Sequence, residues 1–106
     1  MSKALHLDDL QLRKAALNYR AVNNKLRQTI LRFIHKEGRV TVTPVYQKLK
    51  LEQSVASQHL AILRKAKIVA TEREGRFIFY SINYQWLQQL HDIADSLQVQ
   101  TKVTRP

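Results

Sequence analysis

The sequence predicts a mainly α-helical protein of the winged helix-turn-helix class, with about five helices and a two-stranded β-hairpin wing. Three observations predict it. Only two Gly and two Pro occur in 106 residues, which leaves little room for long loops. Apolar residues recur with a helical period along most of the chain, and one later stretch changes to a period of two. We therefore expect one domain over residues 1–106, in which the aperiodic segment 98–106 is a frayed tail.

Three helices are predicted in the first half of the chain. The first covers residues 8–22, capped by Asp8 or Asp9, and carries two apolar stripes that suggest two neighbours. The second covers residues 24–36 and ends before Gly38. An extended piece, RVTV, leads to a short third helix, in which Thr43 is the cap and Pro44 the first residue.

The fourth predicted helix, SVASQHLAILRKAKIV from residue 54, has two unusual faces. One stripe on a 3.6-residue period is expected to face the core, and it comprises Val55, His59, Ile62, Leu63 and Ala66. The opposite face is small or neutral, and it comprises Ser54, Ser57, Gln58, Ala61 and Lys65. No charged residue lies between Glu52 and Arg64, although solvated helix faces usually carry charges.

The stretch IVATEREGRFIFYSI predicts two strands with a tight turn at Glu74-Gly75. Ser81 or Asn83 then leads into a last helix with a wide apolar face. The order of these elements predicts a winged helix-turn-helix: a short helix, a tight connection, a helix with a polar stripe and a hairpin.

The neutral face of the fourth helix suits a DNA major groove, which is about 12 Å wide and admits a helix with short or hydrogen-bonding side chains. Gln58 has the groups for a bidentate bond to adenine, and Ala61 fits against a thymine methyl. The predicted base-reading residues are Ser54, Ser57, Gln58 and Ala61. The alternative is that this face simply meets water.

The charge distribution also indicates an anionic partner. The net charge is +10, and the segment 13–76 holds 15 Lys and Arg against four Glu. Basicity alone does not separate nucleic acid from an acidic membrane. No apolar run is long enough to span a bilayer and the N-terminus lacks a signal-peptide pattern, so we expect a cytoplasmic protein.

The cationic residues around the neutral face are expected to contact phosphates. This set comprises Lys48, Lys50, Arg64, Lys65, Arg73 and Arg76. His59 lies on the core stripe, and it is expected to form a hydrogen bond either within the helix-turn-helix or to a nearby phosphate. Arg73 and Arg76 bracket the predicted wing tip, where they would reach a minor groove or its phosphates. The alternative is that these two arginines pair locally with Glu72 and Glu74.

The last helix has a different character, because residues 84–98 contain no Lys or Arg. Together with the first helix it predicts a two-fold homodimer, which would place two reading helices one turn of DNA apart. The predicted interface comprises Leu10, Leu17, Trp86, Leu87, Leu90, Ile93, Ala94 and Leu97. The alternative is that both helices are satisfied inside one monomer.

The sequence gives little support for a catalytic site or a metal site. The chain has no Cys, few carboxylates and no Gly-rich phosphate loop, so we expect no enzyme and no cofactor. His91 and Asp95 lie one helical turn apart, but two ligands are too few for zinc, and they remain weak metal candidates.

The fourth helix and the hairpin resemble the ArsR/SmtB family of small dimeric winged-helix repressors. The residues that carry the resemblance are Ser57, Gln58, His59, Leu60, Leu63, Arg73, Glu74, Gly75, Arg76, Tyr80 and Ser81. The resemblance spans residues 24–97 and implies five helices and a wing, a dimer through the first and last helices, and operator DNA as ligand. Two departures are Lys67, where the family usually has Gly, and the absence of the cysteines that many members use to bind metals.

Two functions follow as hypotheses. The first is a sequence-specific transcriptional regulator, a repressor, that binds an inverted repeat in double-stranded DNA as a homodimer. The second is a winged-helix module that holds a protein partner or coats nucleic acid without reading it. The sequence does not identify a small-molecule effector.

Overall fold

The structure, a computed structural model, describes residues 9–92, with the backbone only for residues 9–12, 14 and 15. The elements in chain order are α1 (Asp9–Val22), α2 (Lys25–Glu37), β1 (Arg39–Val40), α3 (Val42–Lys48), α4 (Gln53–Lys65), β2 (Val69–Glu74) and β3 (Phe77–Ile82). A fifth helix, α5, covers residues 84–92. The predicted fold class is confirmed, while Asp8 and the predicted tail lie outside the described residues.

The hairpin wing is part of a three-stranded antiparallel sheet in the order β1-β3-β2. The extended piece before α3 supplies the third strand, because Arg39 pairs with Ser81 and Val40 with Tyr80. Glu74 pairs with Phe77, so the two turn residues are Gly75 and Arg76 rather than the predicted Glu74-Gly75. Gly75 has φ +62°, which suits the first central position of a type II′ turn, where glycine is required.

The core lies between α4, α2 and one face of the sheet. From α4 it takes Ala56, Leu60 and Leu63, all without solvent exposure. The predicted core stripe is confirmed at Leu63 and Ala66, which are buried. It is wrong at Val55, His59 and Ile62 by one position of helix rotation, and Ile62 is 39% exposed. The observed rotation places Leu60 rather than the His59 imidazole at the centre, so the buried stripe contains no polar side chain.

Helix boundaries follow the capping residues. Asn24 caps α2 by accepting a hydrogen bond from the Arg27 backbone N–H at 3.0 Å, and Asn83 caps α5 in the same way from Trp86 at 3.1 Å. Helix α3 begins at Val42 with Thr41 as its N-cap, two residues earlier than predicted. Pro44 is tolerated there because N–H groups in a first helical turn have no intrahelical acceptor.

Two lysines in left-handed conformation end the helices of the helix-turn-helix, with φ +56° at Lys50 and +66° at Lys67. After α4 the Ile68 N–H donates to the Leu63 carbonyl at 3.0 Å and the Lys67 N–H to the Arg64 carbonyl at 2.9 Å. This is a Schellman motif, whose left-handed position normally holds glycine. Lys67 therefore carries backbone strain at the joint between α4 and the wing.

We predict that Lys67→Gly raises the free energy of unfolding by about 0.5–1 kcal/mol, because glycine adopts this φ without strain. Thermal unfolding measures the gain. Lys65→Gly is the control, since Lys65 is the last residue of α4 and has helical φ and ψ, so the same change there relieves no strain and should lower the free energy of unfolding. A Lys67→Gly protein that melts below the wild type would contradict the strain at this joint.

Candidate nucleic-acid interface

The predicted reading residues lie together on the outer side of α4. Ser54, Ser57, Gln58 and Ala61 are all exposed. Within residues 9–92 the Ser and Gln side chains make no hydrogen bond to the protein. Helix α4 has 13 residues and so extends about 20 Å. It therefore presents a neutral strip of free donors and acceptors with a rigid backbone beneath it.

The rigidity of α4 comes from the packing behind it. Its buried side contacts α2, α3 and β2. The turn from α3 is closed by the Leu51 N–H, which donates to the Tyr46 carbonyl at 2.8 Å. The neutral strip thus has a fixed orientation relative to α3 and the wing.

Arg27 connects α4 to the end of α1. Its Nε donates to the Ala21 carbonyl at 2.7 Å and its Nη2 to the Arg20 carbonyl at 3.3 Å, while Nη1 lies 3.2 Å from Nδ1 of His59. A guanidinium only donates, so Nδ1 of His59 accepts and the ring proton is on Nε2. This bridge holds the imidazole of His59 at the edge of the neutral strip.

His59 is half-buried rather than part of the core stripe. Burial and, next, the Arg27 charge lower the pKa of His59 from its ordinary value of 6.5. The imidazole is therefore neutral at pH 7. A phosphate near His59 would meet a neutral Nε2–H donor instead of a cation.

The wing arginines are free of the predicted local ion pairs. Arg73 donates from Nε to the Gly75 carbonyl at 3.1 Å, and the Arg76 guanidinium lies 5.3 Å from the centroid of the Phe77 ring. The carboxylates of Glu72 and Glu74 pair with Arg39 instead. In the described part of the chain neither wing arginine forms an ion pair, so both charges face solvent.

The remaining predicted phosphate contacts are also exposed. Lys48 and Lys50 lie at the end of α3, and Arg64 and Lys65 at the end of α4. Over residues 9–92 none of these four forms an ion pair. Positive charge therefore lies at the α3 end, the α4 end and the wing tip around the neutral strip.

The predicted dimer residues divide into three groups. The Trp86 indole N–H donates within the chain to Asn18 Oδ1 at 2.8 Å and to the Ala66 carbonyl at 3.1 Å, and Leu87 packs against the core. Leu17 is 42% exposed and Leu90 is half-buried. The side chain of Leu10 and residues Ile93, Ala94 and Leu97 lie outside the described part.

Sequence reasoning missed three residues that organise this surface. Asn18 is 3% exposed and lies three residues before the buried Ala21, a helical spacing that could have indicated it. Arg27 and Arg39 act through partners more than 30 residues away in the chain. No local pattern points to them.

The histidines outside the strip form no metal site in the described residues. His91 is exposed and Asp95 lies beyond residue 92, and residues 9–92 contain no group of three or more His, Cys, Asp or Glu that could hold a metal. His35 is exposed, and its Nδ1 lies 2.6 Å from the Tyr84 hydroxyl. No described helix has the length and apolar character to cross a membrane.

Comparisons with known proteins place this geometry among transcriptional regulators. The chain is 33% identical to an uncharacterized HTH-type transcriptional regulator of Methanocaldococcus jannaschii, over 79% of this chain and 94% of that protein. It is 32% identical to the transcriptional repressor PagR of Bacillus anthracis, over 86% and 85% of the two chains. It is 30% identical to the transcriptional activator HlyU of Vibrio cholerae, over 82% and 80%.

The fold comparison agrees with the sequence comparison. The crystal structure of PagR superimposes with a TM-score of 0.65 and 34% identity, covering 72% of this chain and 86% of PagR. No protein-family model matches the chain.

Proposed function

The chain belongs to the ArsR/SmtB family of DNA-binding, winged helix-turn-helix transcription regulators, and from this premise we propose that it is a sequence-specific repressor that binds an inverted-repeat operator as a homodimer. One observation carries the proposal. The outer side of α4 is a strip of exposed, neutral side chains without hydrogen bonds to the described protein, and exposed cations that form no ion pair with described residues lie at the ends of α3 and α4 and at the wing tip.

Each part of the surface then has a separate role. Ser54, Ser57, Gln58 and Ala61 contact base edges in the major groove. The cations at the ends of α3 and α4 and at the wing tip contact phosphates, which bind all sequences alike. His59 joins the phosphate contacts as a neutral donor, held by Arg27.

The homodimer in this proposal forms through α1 and α5. Its support is the exposed Leu17, the half-buried Leu90 and the apolar spacing that continues beyond residue 92 in the sequence. Homodimerisation is also typical of the family. A two-fold dimer would present two copies of α4 to two half-sites of one operator.

The relatives support a regulatory rather than an enzymatic role. The name of PagR supports repression, whereas the name of HlyU records an activator. The position of the operator relative to the promoter decides between these outcomes. Thiolate chemistry takes no part in the response of this protein, because the chain has no cysteine.

We predict different signatures for base-reading and phosphate-binding residues. Gln58→Ala should cost about 1–3 kcal/mol on the preferred operator and relax the base preference at one position per half-site, with little effect on unrelated DNA. Arg76→Ala should weaken binding to most sequences alike. It should also make the slope of log K against log salt shallower by about one unit for each phosphate that the protein no longer binds, or two per dimer.

Competition binding on randomised half-sites over a salt series measures both signatures. Each variant serves as the control for the other, because the two side chains are exposed on the same surface. If Gln58→Ala leaves every base preference unchanged, the base-reading role of α4 is refuted. The non-specific module then becomes the better explanation of the surface.

A further inference from the structure

A compact cluster of charged side chains lies on the outer face of the sheet. None of its members is among the proposed contacts to bases or phosphates. Arg39 lies on β1 at one edge of the sheet, and Glu72 and Glu74 lie on β2 at the other edge. The Arg39 Nη2 is 2.6 Å from Oε2 of Glu74 and 3.5 Å from Oε1 of Glu72. The ion pairs therefore bridge β3, which separates the two edge strands by two strand spacings or roughly 10 Å.

The strand register explains how one side chain reaches so far. Arg39 is paired with Ser81, Glu72 with Phe79 and Glu74 with Phe77, so all of them point to the same face. The opposite face holds the core residues Val40, Val69 and Ile82. The guanidinium carbon of Arg39 lies 3.8 Å from the centroid of the Phe79 ring, which supports it midway.

This geometry makes the contact stronger than an ordinary surface ion pair. Isolated exposed pairs contribute little, because each long side chain must be ordered for one interaction. Here the Arg39 side chain is ordered once and contacts two carboxylates and an aromatic ring, so the entropy cost is shared by three interactions. The planar guanidinium suits both kinds of contact. The cluster holds both glutamates on the outer face.

The two glutamates of the cluster lie close to the wing arginines, and their charge therefore affects phosphate binding there. Glu72 and Glu74 flank Arg73, and Glu74 is two residues from Arg76. A free carboxylate at this place would repel a phosphate near the wing tip, and Glu74 would compete for the nearby Arg76. Arg73 is paired with Ile78 and so points to the other face of the sheet, where the carboxylates act on it only through their charge. In the structure both carboxylates form ion pairs with Arg39. Arg73 and Arg76 form no ion pair with any described residue.

We propose that Arg39 is a positioning residue for DNA binding, which neutralises and fixes the carboxylates of Glu72 and Glu74 on the outer face of the sheet, so that Arg73 and Arg76 meet phosphates uncompensated. This inference rests on the DNA-binding role proposed above. It adds a residue that touches no DNA and acts through two carboxylates.

The test compares Arg39→Gln with Lys36→Gln, on the preferred operator and on an unrelated duplex. Lys36 is exposed, lies three residues away and forms no ion pair in the described chain, so its variant removes the same charge. At low salt Arg39→Gln should weaken binding to both duplexes by roughly five- to tenfold, and Lys36→Gln by less than about twofold. Equal losses of affinity would show that only net charge matters and would overturn the proposal.

A rescue experiment separates positioning from simple support of the fold. Adding Glu72→Gln and Glu74→Gln to Arg39→Gln should restore affinity to within about twofold of the wild type, and should raise it more than the same pair does when Arg39 is present. If Arg39 only stabilised the sheet, the Glu72→Gln and Glu74→Gln pair would raise affinity by the same factor with and without Arg39, and the proposal would fail. Thermal unfolding of each variant reports the structural contribution independently.

The two proposals fail in different ways. A wild type without base preference refutes sequence-specific regulation, yet its affinity for the unrelated duplex still shows whether Arg39 matters. Equal losses of affinity with Arg39→Gln and Lys36→Gln refute the positioning role and leave the operator preference untouched.

Discussion

Leu60→Ala is expected to lower the free energy of unfolding by about 2–5 kcal/mol. Leu60 has no solvent exposure and lies at the centre of the buried side of α4, so shortening its side chain leaves a cavity beneath the neutral strip. For a domain of this size the melting temperature should fall by roughly 10 °C or more. Thermal or urea unfolding at fixed protein concentration measures the loss of stability.

Ile62→Ala is the matched control, because it shortens an aliphatic side chain on the same helix at a position that is 39% exposed. It should cost about 1 kcal/mol or less. Equal losses of stability at the two positions would contradict the helix rotation in the structure. They would favour the rotation first predicted from the sequence, which placed Ile62 in the core.

Leu90→Glu is expected to abolish the homodimer. Leu90 lies on α5, and in the proposed dimer it meets the partner, where an unpaired carboxylate would cost several kcal/mol. The variant should sediment as a monomer or become insoluble, and its affinity for an inverted repeat should fall to that of a single half-site. Sedimentation and operator binding measure the two effects.

Gln89→Glu provides the control for the charge itself, since Gln89 is the preceding residue on the same helix and is exposed. This variant should remain dimeric. A folded Leu90→Glu protein that still sediments as a dimer would remove α5 from the interface and would leave the alternative that α1 and α5 are satisfied within one monomer.

Local patterns predicted much of this fold. The caps Asn83 and Gly38 and the exposed strip on α4 all follow from residue types and spacings within a few positions. Such features depend on neighbours along the chain, and a sequence displays those directly. The predicted rotation of α4 was wrong because Leu60 and His59 are adjacent in the sequence, and packing against α1, α2, α3 and β2 decides which of them is buried.

Contacts between distant segments could not be predicted in the same way. The Arg27 bridge to His59 and the Arg39 bridge to Glu74 join residues 32 and 35 positions apart. The pairing of β1 with β3 involves only two residues, too few to produce a period. The sequence suggested that Arg73 and Arg76 would either bind phosphate or pair with Glu72 and Glu74. The second interpretation is wrong, because the strand register places Arg73 on the opposite face from both glutamates and Arg39 pairs with their carboxylates.

The central claim is that the neutral strip on α4 reads base sequence in an inverted repeat. Selection of binding sites by the wild-type protein from a pool of random duplexes, followed by sequencing, tests this claim most directly. We predict enrichment of one two-fold symmetric site whose half-sites lie about 10–10.5 base pairs apart, or a multiple of that spacing. Binding of the pool without enrichment of any sequence would contradict the claim and would identify the protein as a non-specific nucleic-acid-binding module.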